Sequence, residues 1–168
     1  MSSFDLSKSL GLPQTRNGQI LAYSLVTSLV LSAIHLGLTA PSVGYWQIFV
    51  TFAASMVTII HHITIFVLLR KHTANSPYVP DCLTRKLNII FLVLFEATWI
   101  SGTVVGLYFW SWLHDSSDDY FPPLALASDI FALLESLALA VVIVFCGLAR
   151  REKLMGLRGV REIGETAL

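Results

Sequence analysis

The chain has 168 residues, 55% of them hydrophobic and 13% charged, with no net charge. Soluble domains carry about 25% charged residues, so the composition argues against a water-soluble globular fold. At about 20 apolar residues per membrane-crossing helix, the length leaves room for about four helices and excludes a separate soluble catalytic domain. An all-α, integral membrane four-helix bundle is expected.

Residues 1–18 are polar with scattered apolar side chains (Phe4, Leu6, Leu10, Leu12) and read as a cytosolic N-terminal arm. The apolar stretch that follows, Ile20 to Leu38, exceeds the about 7–15 residues of a cleaved signal's core, and Ser2 stands where an N-myristoyl motif needs Gly. From Asn17 to Leu69 there is no Lys, Arg, Asp or Glu. The run Ala40-Pro41-Ser42-Val43-Gly44 breaks that stretch in two, which gives spans at 20–38 and 46–69 joined by a tight turn. The third span is expected at 87–110 and the fourth at 123–148, with the bundle occupying 19–149. Pro122 and Pro123 suit a helix start, where backbone N–H groups lack intrahelical partners. A basic cytosolic tail fills 150–168.

Positive charge orients the chain. Lys8 and Arg16 precede span one, Arg70, Lys71, Arg85 and Lys86 lie between spans two and three, and Arg150, Arg151, Lys153, Arg158 and Arg161 follow span four, which accounts for all eleven Lys and Arg. Short basic loops stay cytoplasmic, so both termini are expected in the cytosol. The opposite loop carries Asp115, Asp118 and Asp119. Tyr45, Trp46, Tyr108, Trp110, Trp112 and Tyr120 fall at the expected outer boundary, where amphipathic rings settle at headgroup level.

The basic side should draw anionic inner-leaflet lipids at about 1 kcal/mol per nearby Lys or Arg, with headgroup contact expected from Arg150, Arg151, Lys153, Arg158 and Arg161. Leu154, Leu157, Val160 and Ile163 have a spacing compatible with an amphipathic surface helix, although Gly156 and Gly159 weaken it; a solvated basic tail is the other reading.

Ionisable groups inside a bilayer are costly and suggest function by default. Here they are His35, His61, His62, Glu96, Asp129 and Glu135. Thr51, Ser55, Thr58 and His62 share one helical stripe, which turns His62 inward and leaves His61 at the edge. Ser24, Ser28, Ser32 and His35 form a similar stripe. Ser128, Ala132, Ser136 and Ala140 form a small-residue ridge beside Asp129, and Gly102 with Gly106 make a GxxxG pair that permits close backbone approach. At about 1.5 Å per residue from the inner boundary, Glu96 falls level with His62 and Glu135 level with His35, so these are the expected pairs. Asp129 falls near the outer headgroups, where it would be hydrated. The groups serve either as a proton relay or cation site, or as interhelical hydrogen bonds worth about 0.6 kcal/mol each.

Cofactor and metal are both expected to be absent. His61 and His62 point about 100° apart on a helix, and spans three and four hold no His. Cys82 and Cys146 lie on the expected cytosolic side, where thiols stay reduced; Cys146, just before Arg150, is either a palmitoylation candidate or an inert buried thiol. The terminal Glu165-Thr166-Ala167-Leu168 has the form of a segment whose carboxylate a groove could capture.

Four spans, cytosolic ends, short outer loops and small-residue helix faces from Arg16 to Arg151 make the chain resemble MARVEL-type tetraspan proteins of the fungal kind, in topology and texture. Claudin-like chains would need a long first outer loop with a Trp and a Cys pair, and tetraspanins a Cys-rich second loop. The resemblance implies membrane organisation, trafficking or a scaffold role, with no catalytic residue to carry over. The alternatives are a proton or cation conduit through Glu96, His62, Glu135 and His35, and an intramembrane lipid enzyme using Glu96 and Glu135 as acid and base. Expected partners are the bilayer, further copies of the chain or other membrane proteins, and no nucleic acid. The membrane itself, plasma membrane or endomembrane, is left open.

Overall fold

The computed structural model describes residues 6–42, 49–71, 79–113 and 121–166, of which 42, 112, 113, 121, 122 and 157–166 are described by their backbone alone. The described residues are helical almost throughout: α1 (Leu6–Ser9), α2 (Arg16–Thr39), α3 (Val50–Lys71), α4 (Asp81–Thr84), α5 (Lys86–Leu113) and α6 (Phe121–Thr166). Four of them, α2, α3, α5 and α6, are long and apolar enough to cross a membrane.

Local chemistry sets the ends. Thr15 caps α2, its side chain accepting from the Gly18 N–H at 3.2 Å, so the helix begins four residues before the expected span. Pro41 sits in a single 3-10 turn, Ala40–Ser42, that ends it. Span two begins later than expected: Phe49 adopts φ 61°, a left-handed conformation unfavourable for a bulky residue, and α3 starts at Val50. Trp46 lies outside the described residues, as do Tyr45, Asp115, Asp118, Asp119 and Tyr120 of the expected outer boundary. Pro122 and Pro123 occupy the first turn of α6, as their missing N–H groups favour. That helix then continues for 46 residues. The tail as far as Thr166 therefore continues the fourth long helix, and Gly156 and Gly159 lie inside a helix already nucleated upstream, where each costs only about 1 kcal/mol.

The long helices run up, down, up and down, and close in the order α2, α3, α5, α6, with α6 returning against α2. The glycine pair of α5 faces two neighbours. A Cβ on Gly102 would strike Thr51 of α3, and one on Gly106 would strike the Asp129 carboxyl of α6, so both helices approach the α5 backbone closely.

The bundle is polar inside and apolar outside. Ser28, Ser32, His35, Thr51, Ser55, Thr58, His62 and Glu135 are all fully buried, while Val30, Ile60, Ile63, Ile90, Leu94, Val104, Leu133 and Leu137 are exposed. At the end where Arg16, Lys71, Lys86 and Arg150 gather, the interior changes character. Leu12, Leu69, Val79, Leu83, Leu92, Cys146 and Ala149 form an apolar layer, completed by the segments around the short helices α1 and α4.

Candidate functional site

The interior polar groups form a stack along the bundle axis. Nearest the apolar layer, His61 Nε2 and Asn88 Oδ1 are 2.8 Å apart, and Asn88 Nδ2 donates to the Leu83 carbonyl of α4 at 3.2 Å. One residue on, His62 Nδ1 lies 2.8 Å from the Thr58 carbonyl. A carbonyl only accepts, so Nδ1 carries a hydrogen; Nε2 is buried with no hydrogen-bond partner among the described residues. His62 is fully enclosed, and His61 lies at the rim with its ring edge-on to Phe95.

Trp99 is the hub of the next layer. Its indole N–H donates to Thr58 Oγ1 at 3.2 Å, and its ring meets His35 edge-to-face with centroids 4.9 Å apart. Ser55 donates its hydroxyl hydrogen to the Thr51 carbonyl, so its oxygen accepts from His35 Nδ1–H at 2.8 Å. This joins α2 to α3, and Trp99 brings α5 to both.

The carboxyl groups go to hydroxyls. Ser28 and Ser32, one turn apart on α2, both donate to Glu135 Oε1, at 2.6 and 2.8 Å. Ser136 of α6 donates to Glu96 Oε1 at 2.5 Å. The expected Glu96–His62 and Glu135–His35 pairs are thus replaced by carboxyl–hydroxyl ones: axial rise gives a residue's level, but the direction its helix faces decides its partner. Asp129 also departs from expectation. Instead of meeting water it is 1% exposed, its carboxyl lying in the notch left by Gly106. That glycine, already legible as a packing residue, was the available signal.

Among the headgroup-contact residues, two are engaged within the molecule. Arg150 donates to the Thr84 carbonyl at 2.8 Å, and Lys153 forms an ion pair with Asp81. Both therefore hold α4 against α6. Arg151 is exposed, and the side chains of Arg158 and Arg161 lie outside the described residues. Arg70, Lys71, Arg85 and Lys86 were not singled out for lipid contact, yet all four are exposed at the same end.

Cys146 is fully enclosed in the apolar layer, so an acylating enzyme meets no exposed sulfur there. Cys82 on α4 is half-buried, and burial, the largest influence, pushes its thiol above the ordinary range. No group of three or more His, Cys, Asp or Glu able to hold a metal ion occurs among the described residues. Residues 167 and 168 lie outside the described chain, so the terminal carboxylate segment is not placed.

Compared with protein-family models, characterised proteins and solved structures, the chain matches none.

Proposed function

We propose that this is a multi-pass membrane protein of the MARVEL-like, membrane-organising kind, with both termini in the cytosol, acting through helix packing and contact with anionic lipid. The observation that carries the reading is the inverted bundle: enclosed polar side chains, an apolar outer surface, and an apolar layer beneath a ring of exposed cations. An apolar exterior is stable in hydrocarbon, where interhelical polar contacts and close packing supply specificity. Arg70, Lys71, Arg85, Lys86 and Arg151 form the lipid-facing basic set. The membrane occupied is the plasma membrane or an endomembrane.

The test replaces these five residues with Gln and measures the lipids retained by protein purified in native nanodiscs. At about 1 kcal/mol per cation, enrichment of anionic over zwitterionic lipid should fall at least about tenfold. Unchanged enrichment would overturn the lipid-contact reading.

A second reading, a proton conduit, is favoured by the stack running from His61 and His62 through Glu96, Thr58 and Glu135 to His35. It requires proton flux in reconstituted vesicles that Glu96→Gln and His62→Ala abolish. Vesicles holding the native protein that show no flux would remove it.

A further inference from the structure

Glu135 is fully enclosed, and its two oxygens have different surroundings. Oε1 receives both serine hydroxyls, at 2.6 and 2.8 Å, whereas Oε2 is buried with no hydrogen-bond partner among the described residues. An ionised carboxylate spreads its charge over both oxygens, and each then needs donors. A carboxylic acid has one carbonyl oxygen that accepts and one hydroxyl oxygen that holds the proton. Two donors converging on a single oxygen fit the acid.

The surrounding charges point the same way. Residues 17–69 and 87–149 contain no Lys or Arg, so the spans bring no fixed cation to Glu135. The titratable groups of the same interior are His35 on α2, His61 and His62 on α3, Glu96 on α5 and Asp129 on α6. His35 bonds Ser55, His61 bonds Asn88, His62 bonds the Thr58 carbonyl and Glu96 accepts from Ser136, while Asp129 lies against Gly106. Of these groups Glu96 acts on Glu135 electrostatically, as a like charge and not a cation. A bare ionised oxygen enclosed away from water is far costlier than a bare hydroxyl.

We propose that Glu135 is a proton-binding site, a carboxylic acid at neutral pH whose Oε1 is the serine-held carbonyl and whose Oε2 carries the proton, closing the α2–α6 seam. Binding forms one O–H bond, and release returns the proton to water and leaves the carboxylate. The site rests on the membrane-spanning reading but is independent of the organising role.

The test is infrared absorption of the full chain in phosphatidylcholine nanodiscs. At neutral pH, Glu135→Gln should remove one carboxylic-acid carbonyl band in full, while Glu96→Gln leaves that band in place. Replacing Ser28 and Ser32 together with Ala should move the band to higher frequency, because the carbonyl loses both hydrogen bonds. Raising the pH well into the alkaline range should convert the band to carboxylate absorption. A Gln variant that removes carboxylate absorption instead of an acid band would overturn the proposal, and so would a band unmoved by the serine changes. Should Glu135→Gln not fold, the native chain and the serine variant still decide: an acid region empty at neutral pH overturns the site. Lipid enrichment, which reads the organising role, does not depend on this band.

Discussion

The basic end and the middle of the bundle interior are held by different physics. At the basic end, Leu12, Leu69, Leu83, Leu92 and Ala149 pack into an apolar layer next to water, where the hydrophobic effect operates. In the middle, Ser28, Ser32, His35, Ser55, Thr58, Trp99 and Glu135 join the helices by hydrogen bonds, whose direction selects the partner. The first layer supplies stability without much direction. The second fixes which helix faces which.

That contrast can be broken from either side. The largest expected effect is at Leu83, fully buried in the apolar layer: Leu83→Ala should cost about 2–5 kcal/mol, read as a lowered unfolding midpoint in detergent, with loss of the α4 contact. Next is Gly106→Val, whose Cβ meets the Asp129 carboxyl; overpacking should cost about 1–3 kcal/mol, and a midpoint equal to the native one would contradict the close α5–α6 approach. Ser28→Ala combined with Ser32→Ala removes both donors from Glu135 and should cost about 1–2 kcal/mol, more than the sum of the single changes because either hydroxyl alone still satisfies the shared acceptor. The smallest effect is at the rim. Lys153→Ala breaks the ion pair with Asp81, whose partners are 29% and 55% exposed, and should cost no more than about 1 kcal/mol.

The same end offers a pH test. Burial holds the Cys82 thiol above its ordinary range, so the thiolate is scarce at neutral pH and grows as pH rises. Alkylation by a water-soluble maleimide should therefore be slow at neutral pH and increase about tenfold per pH unit below the thiol's own pKa. In Leu83→Ala, where the layer opens, the rate at neutral pH should rise.

The four long apolar helices were legible because charge-free runs and proline breaks are written along the chain, and Gly102 with Gly106 announced close packing in the same way. The short helices α1 and α4 were not legible. At four residues each they have no periodicity to detect, and tertiary contacts of neighbouring residues such as Leu12, Val79 and Leu83 hold them in place. The partners of Glu96 and Glu135 were missed because rise per residue locates a side chain in depth but not in azimuth. Asp129 was placed in water by depth alone, although a glycine on another helix had made room for it. The engagement of Arg150 and Lys153 was hidden for a related reason: both read as free cations until α4 folds beside them.

Helix α6 has 46 residues and so extends about 69 Å, more than twice the about 30 Å of hydrocarbon. Glu135 and the segment beyond Arg151 lie on one rod with no joint between them. A helix of that length outruns any hydrocarbon layer it would cross, so its final turns continue past the α4 contacts made by Arg150 and Lys153.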